Sequence, residues 1–147
     1  MYSVVNICIT SESGKKMESM NSIKVIANKG IVNDRYFKEN NDKNNQITLI
    51  ESENVDYYNK ISGTHLHPTD FRRNVITKGI SLNKLVGKEI LIGDVRLKIH
   101  DLCEPCRYLQ ELLGEKNLVK KLLNRGGLRC ELLTNGNINV NDPIKIL

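Results

Sequence analysis

The chain has 147 residues, of which 39% are hydrophobic and 27% charged, and this balance excludes disordered and fibrous proteins. The net charge of +5 modestly favours anionic ligands, although scattered surface lysines explain the same value. The N-terminus lacks a signal-peptide pattern and no apolar run is long enough to cross a bilayer, so we expect a cytoplasmic protein without membrane contact. We expect one domain over residues 1–147, with its four cysteines kept reduced.

The predicted elements are mostly short strands. Apolar runs rich in β-branched residues predict strands at 4–9, 23–27, 47–50, 74–77, 89–92, 95–99, 128–133 and 143–147. Apolar residues at helical spacing predict helices at 51–61, 105–113 and 117–123, with a short turn at 81–85. Many short strands and few helices predict a β-rich α+β fold, arranged as a compact barrel or sandwich.

The connections carry turn signals of different strength. Gly93-Asp94 separates two strand runs and has the chemistry of a two-residue hairpin turn, and Asn135-Gly136 follows another run with the same chemistry. Gly126-Gly127 follows a predicted helix, so its first glycine is expected to end that helix, and its exposed N–H groups are also suited to an anion. The polar stretch 38–46 is too polar to pack and is predicted to be a mobile loop.

Two of the four cysteines are candidates for chemistry. Cys8 and Cys130 fall within strand runs, where a free cysteine usually behaves as a small buried apolar residue. Cys103 and Cys106 instead follow a strand and open a helix, and Pro105 suits the first helical position. This prediction puts Cys106 in the first helical turn, where backbone N–H groups and the helix dipole favour a thiolate that attacks electrophiles or binds metal. Cys103 is predicted to be a helper thiol or a packed residue.

Other types of protein are also compatible with parts of this pattern. A structural zinc site needs four ligands, and the histidines at 65, 67 and 100 lack a recognised ligand spacing. A thioredoxin-like thiol–disulfide oxidoreductase also has C-x-P-C where a strand meets a helix, but here the motif comes late in a strand-rich chain. Nucleic-acid binding is not expected, because only 5% of residues are aromatic and none forms a stacking motif.

A basic segment supplies candidate anion ligands. Arg72, Arg73 and Asn74 follow Asp70 and lead into a strand, so alternation predicts Arg72 and Asn74 on one side and Arg73 on the other. A guanidinium binds phosphate bidentately, and the Asn carboxamide both donates and accepts. The alternative is a surface arginine paired with Asp70.

The order and spacing of these segments resemble the MOSC domain, the C-terminal domain of molybdenum cofactor sulfurases, over nearly the whole chain. The resemblance rests on eight segments: Gly30-x-x-Asn33-Asp34-Arg35, 46–51, 71–80, 85–87, 92–93, Glu104-Pro105-Cys106-x-x-Leu109, 126–127 and 135–142. Family patterns usually have Gly-Asp where this chain has Asn33-Asp34 and Asn141-Asp142. Asn tolerates the left-handed backbone conformation, so we expect both turns to survive.

The resemblance implies a closed or partly open MOSC-type β-barrel that binds molybdenum cofactor, a molybdopterin. It implies that Cys106 is the molybdenum ligand or a persulfide sulfur carrier, in cofactor-dependent reduction or in sulfur transfer. The residues implied to bind the cofactor are Arg72 and Asn74, followed by Arg73, Asp34, Arg35 and Arg129. The implied partner is a cysteine desulfurase or a redox protein. No pyridoxal phosphate is expected, because 147 residues leave no room for the sulfurase domain that binds it.

Overall fold

A computed structural model describes residues 2–147. The strands are β1 (Ser3–Ile9), β2 (Glu18–Ser19), β3 (Ser22–Ile26), β4 (Gly30–Ile31), β5 (Ile47–Glu51), β6 (Val75–Lys78), β7 (Glu89–Ile92), β8 (Val95–Leu102), β9 (Leu128–Leu132), β10 (Gly136–Asn139) and β11 (Ile144–Ile146). The α-helices are α1 (Ser52–Ser62), α2 (Arg107–Leu113) and α3 (Leu118–Lys121), and Pro68–Phe71 and Leu82–Leu85 form 3-10 turns. The sequence pattern missed β2, β4 and β10, which are short or polar.

Two sheets build the β-rich α+β fold that the sequence predicted. Eight strands form a half-barrel in the order β11-β7-β8-β9-β5-β6-β1-β2, and β10-β3-β4 form a small second sheet. Most neighbouring strands are antiparallel, whereas β5 and β6 are parallel and α1 lies in the connection between them. Within residues 2–147, no helix has the length and apolar character needed to cross a bilayer.

Alternation along the strands divides the interior into two apolar clusters. In β5 and β6, Leu49 and Val75 face the main cluster inside the half-barrel. Their neighbours Ile50 and Ile76 face the opposite side of the sheet and pack in a second cluster against the helices. This division follows from the period of two in a strand, and it explains why these strands are apolar on both faces. The second cluster supports α2, the helix that follows Cys106.

Turn chemistry predicted some connections correctly and one wrongly. Gly93-Asp94 forms the predicted hairpin between β7 and β8, with Gly93 at a φ of 57°. Asn33 and Asn141 both adopt the left-handed conformation expected of them, at φ values of 72° and 76°. Asn135-Gly136, by contrast, makes no hairpin with β9. Gly136 begins β10, which pairs with β3, and the Asn135 side chain accepts a hydrogen bond from the Ala27 N–H beside this pair.

Residues 38–46 form a loop as predicted, but the expectation that this loop is too polar to pack was wrong, because the side chains of Asn41 and Gln46 are buried. Asn41 Nδ2 donates to the carbonyl oxygens of Lys29 and Tyr36, at 3.0 and 2.6 Å. Gln46 is 1% exposed; its Nε2 donates to the Asn41 carbonyl and its Oε1 accepts from the Leu132 N–H. A polar side chain is buried readily when its donors and acceptors are satisfied. These bonds anchor the loop beside the strands that carry the site.

Alkaline pH is expected to destabilise the fold through buried acidic groups. Burial raises the pKa of Cys8 from 9.0 to about 12. Burial, and then a hydrogen bond to Glu115, raise the pKa of Tyr58 from 10.0 to about 12. The unfolded chain therefore releases protons above pH 9 that the folded chain retains, so this stability is complete below pH 9 and is lost as pH rises towards 12.

We expect the free energy of unfolding to fall by roughly 2 kcal/mol or more between about pH 8 and about pH 10.5, measured by urea unfolding. A Cys8→Ala variant should show a shallower decline. A free energy that does not change over this pH range would contradict the prediction.

Candidate functional site

A pocket of about 140 Å³ lies where the ends of several strands meet. Its walls come from the loops after β1 and β4, from the segment before β6, from the residues between β8 and α2, and from β5, β9 and the start of α2. Its lining includes Arg35, Thr48, Arg72, Arg73, Cys103, Cys106 and Arg129. Segments far apart in the chain thus bring thiols and guanidinium groups into one cavity.

Cys106 is the one exposed cysteine of the four, all of which are free thiols. The prediction that Pro105 begins the helix was wrong by two residues. Helix α2 begins at Arg107, and Cys106 is its N-cap with an extended backbone at φ −117° and ψ 162°. Pro105 packs closely against Gly126, where an added Cβ would come within 2.7 Å of the Pro105 Cδ. Cys103 is 4% exposed and lines the same pocket.

Arg35 is held in place by a buried carboxylate. Arg35 Nη1 lies 3.3 Å from Asp34 Oδ1, and both side chains are almost completely buried. The same Asp34 oxygen accepts the Thr10 N–H at 3.2 Å, and the guanidinium of Arg35 stacks over the Tyr36 ring at 4.4 Å. Asp34 Oδ2 has no hydrogen-bond partner among residues 2–147, and Asp34 does not line the pocket. Asp34 is therefore placed to hold the Arg35 side chain at the pocket, without lining the pocket itself.

Arg72 is a buried cation without a carboxylate partner among the residues that the structure describes. It is 8% exposed, and its Nη1 donates to the Lys15 carbonyl at 2.6 Å. The pairing with Asp70 is not formed, because Asp70 Oδ2 accepts the His67 N–H instead. Burial, and then the neighbouring charge of Arg35, lower the pKa of Arg72. A buried charge that repels its neighbour is stabilised when an anion binds beside it.

The predicted alternation of Arg72, Arg73 and Asn74 was wrong. Arg72 has a left-handed backbone at φ 64°, and β6 begins only at Val75, so both arginines line the pocket. Asn74 is 2% exposed and does not line it. Its Oδ1 accepts the N–H and the hydroxyl of Thr48, both at 3.1 Å. Asn74 thus lies beneath the site and supports Thr48, which lines it.

Arg129 completes the basic lining from β9, where its Nη1 donates to the Asn44 carbonyl at 3.4 Å. Gly126-Gly127 does not end a helix, since α3 ends at Lys121. Gly126 instead makes room for the segment that carries Cys103. The sequence pattern did not identify Thr48 or Tyr108 as lining residues. Tyr108 had a usable signal, because it is an aromatic residue two positions after the candidate cysteine.

The structure also bears on the two alternatives, a structural zinc site and a thioredoxin-like oxidoreductase. Among residues 2–147, no three His, Cys, Asp or Glu side chains cluster as a structural zinc site would require. The C-x-P-C segment leaves β8, which is antiparallel to both of its neighbours, in a sheet whose order is not that of an alternating strand–helix fold. The thioredoxin-like alternative therefore lacks its fold.

Comparison with known families agrees with this architecture. The family model for the MOSC domain matches residues 34–145. The chain belongs to the MOSC domain family. The match includes the four pocket arginines and the exposed cysteine: Arg35, Arg72, Arg73, Arg129 and Cys106. The MOSC family is known in the context of molybdenum cofactor binding and sulfur transfer.

Solved structures share the MOSC fold at low sequence identity. The YuaD protein from Bacillus subtilis superposes with a TM-score of 0.85 at 18% identity, covering 99% of this chain and 96% of that one. YiiM from Geobacillus stearothermophilus gives 0.82 at 15% identity, covering 100% and 75%. YiiM from Escherichia coli gives 0.73 at 14% identity, covering 99% and 69%. No curated protein matches the chain significantly.

Proposed function

We propose that this MOSC domain binds molybdenum cofactor, with Cys106 as the molybdenum ligand or as a persulfide carrier that passes sulfur on. The observation that carries the proposal is the pairing of an exposed thiol with a buried, uncompensated guanidinium in one pocket. Cys106 supplies the thiol and Arg72 the guanidinium. A thiolate is a soft ligand suited to such metals, and a guanidinium suits phosphate.

The pocket's size and donor set fit one end of this cofactor. A volume of about 140 Å³ is smaller than the roughly 300 Å³ at which pockets for whole drug-sized ligands begin. A bulky ligand would therefore place only its reactive end in the pocket, and the rest of the ligand would lie on the protein surface. When bound, the cofactor would supply the redox chemistry of its metal. Cys106 would hold the metal, and Arg72 and Arg129 would neutralise negative charge.

The remaining candidate residues take indirect roles in this proposal. Asp34 orients Arg35 through the buried ion pair, and Asn74 orients Thr48 through its two hydrogen bonds. Both residues were implied as cofactor ligands by family resemblance, but their burial favours a supporting role. Arg35 would extend the positive field of the pocket towards the ligand.

For the rest of the protein, we infer one domain over residues 1–147. Strand β1, which precedes the matched region, pairs with β6 inside it, so the first residues share the same sheet. We assign the protein to the reducing cytoplasm because all four cysteines are free thiols. A cysteine desulfurase or a redox protein would be the partner, because the chain needs a source of sulfur or of electrons.

The proposal is tested by incubating purified protein with molybdenum cofactor, removing the unbound cofactor by desalting, and measuring molybdenum per chain. We expect molybdenum to remain with the protein. Inorganic phosphate at high concentration should lower the retained amount, because it competes for the arginines. Protein that retains no more molybdenum than an unrelated protein would overturn the ligand form of the proposal.

Replacing Arg72 with asparagine should weaken anion binding without weakening the fold. Loss of a charge-assisted hydrogen-bonding group lowers affinity by about tenfold. The free energy of unfolding should change by no more than about 1 kcal/mol, because removing a buried, repelled charge offsets the lost hydrogen bond to the Lys15 carbonyl and Asn tolerates the left-handed backbone. Calorimetry with inorganic phosphate and thermal unfolding measure the two effects.

The matched control for charge is Arg96→Asn. Arg96 is exposed, pairs with Glu89 and does not line the pocket. This variant loses the same charge and should keep the phosphate affinity of the wild type. Equal weakening in both variants would assign the effect to overall charge.

A further inference from the structure

Arg73 makes four hydrogen bonds to backbone carbonyls, whereas Arg35, Arg72 and Arg129 make one each. Its Nε donates to the Gly126 carbonyl at 2.7 Å, and its Nη1 to the Phe71 carbonyl at 3.5 Å. Its Nη2 donates to the carbonyls of Cys103 and Glu104, at 3.1 and 3.4 Å. A guanidinium has five N–H donors, so these four bonds leave one for any ligand.

Two of these carbonyls belong to the segment that leads directly to Cys106. The same segment is tied a second time, since the Cys103 N–H donates to the Gly127 carbonyl at 2.7 Å. Glu104 Oε1 also accepts the Asn124 N–H at 2.9 Å. Arg73 therefore joins the residues before Cys106 to the 124–127 segment, and no carboxylate within residues 2–147 shares its charge as an ion pair.

We propose that Arg73 is a positioning residue, which holds the Cys103–Pro105 backbone so that the Cys106 thiol stays inside the positive field of the pocket. Arg72 and Arg129, whose donors are less occupied, contact the anion instead. The anion contact by Arg72 and Arg129 rests on the proposed function. The positioning role of Arg73 concerns only the thiol and its backbone, so it can be tested without any cofactor.

The test compares the wild type with Arg73→Lys, which keeps the charge but replaces the planar fork with one ammonium group. One ammonium nitrogen cannot reproduce the four bonds that Arg73 makes from Nε, Nη1 and Nη2. Hydrogen exchange of the Cys103 amide should accelerate by about tenfold, the effect of losing a charge-assisted hydrogen bond, relative to the Leu97 amide of β8 in the same molecule. Arg72→Asn should leave this exchange rate unchanged.

A second readout follows the thiol itself. Alkylation of Cys106 is measured with iodoacetate, an anion, and with iodoacetamide, its neutral counterpart, and the ratio of the two rates reports the local positive potential. In Arg73→Lys the ratio of the iodoacetate rate to the iodoacetamide rate should fall by about threefold. The reason is that the Cys106 thiol moves away from the positive charges of the pocket, whose number does not change. A residue that only stabilises the fold would not change this ratio.

Phosphate affinity separates positioning from ligand contact. Arg73→Lys should bind inorganic phosphate within about twofold of the wild type, whereas Arg72→Asn loses about tenfold. In the wild type, phosphate should protect Arg72 and Arg129 from phenylglyoxal, and Arg73 should show no phosphate-dependent protection. This second comparison needs no variant, so it holds even if Arg73→Lys does not fold.

Three results would overturn the inference. An unchanged alkylation ratio in Arg73→Lys would show that Arg73 does not position the thiol. An unchanged exchange rate at Cys103 would show that the backbone is held by other groups. Protection of Arg73 by phosphate equal to that of Arg72 would make it a ligand contact. Failure of the wild type to retain molybdenum would instead count against the proposed function alone.

Discussion

Replacing Cys106 with serine is expected to abolish retention of molybdenum by cofactor-loaded protein, and replacing Cys103 with serine is expected to leave most of it in place. A serine hydroxyl is not ionised near neutral pH, so it cannot replace a thiolate as a soft ligand. Cys103 is the matched control because it lines the same pocket but its thiol is buried, with 4% of the residue exposed. Molybdenum per chain after desalting measures the effect.

Equal retention in wild type and Cys106→Ser would rule out the ligand role. The arginines alone would then account for binding, and phosphate competition would remove the metal from both proteins equally. Loss of molybdenum in Cys103→Ser, with retention in Cys106→Ser, would reverse the assignment of the two thiols.

The sulfur-carrier role has its own test on the same pair of variants. The Cys106 thiolate would attack the outer sulfur of a desulfurase persulfide, the sulfur–sulfur bond would break, and the desulfurase thiolate would leave. Mass spectrometry should then find one added sulfur atom on the peptide that contains Cys106. The added sulfur should remain in Cys103→Ser and disappear in Cys106→Ser. Sulfur found mainly on Cys103 would contradict this assignment.

Replacing Asn74 with alanine is expected to lower the free energy of unfolding by about 3 kcal/mol or more, because it leaves buried groups without partners. The side chain is 2% exposed and accepts two hydrogen bonds from Thr48. Its Nδ2 also donates to the Cys8 carbonyl at 3.3 Å. These bonds join β1, β5 and the start of β6, so the loss affects the centre of the half-barrel.

Urea unfolding measures the effect, with Asn137→Ala on the exposed edge strand β10 as the control. Asn137 is exposed, and its replacement should change stability by no more than about 0.5 kcal/mol. A stable Asn74→Ala protein that loses phosphate affinity would restore the direct ligand role that family resemblance implied. An Asn74→Ala protein that is destabilised but still binds phosphate when folded is the result expected if Asn74 only holds Thr48 in place.

Much of the architecture was predictable because strands and turns leave local signals. Runs of β-branched residues predicted most strands to within a few residues, and the 89–92 strand matches β7 at both ends. The Gly93-Asp94 hairpin followed from turn chemistry alone. Asn135-Gly136 carried the same signal and was misread, because pairing of β10 with β3 depends on a partner more than one hundred residues away.

The structure brings only some of the predicted site residues together, since Asp34 and Asn74 do not line the pocket. Arg72 and Cys106 line one pocket, whereas Asn74, which the resemblance also implied as a cofactor ligand, does not. Asn74 turned inward because the left-handed backbone at Arg72 delays the start of β6, and alternation only begins with the strand. Asn41 and Gln46 were predicted to lie in a solvent-exposed loop but are buried. The sequence does not show which buried carbonyl groups lack a hydrogen-bond donor.

For the two-cysteine segment, the sequence by itself determined which thiols were candidates and favoured Cys106 over Cys103. It also determined the class of fold and, through family resemblance, the kind of cofactor to expect. Only the tertiary structure decided that Cys106 is exposed and Cys103 buried, that Arg72 lacks a counterion, and that Arg73 binds carbonyls. The physical reason is that charge pairing and burial depend on contacts between distant segments, whereas strands and turns depend on neighbours in the chain.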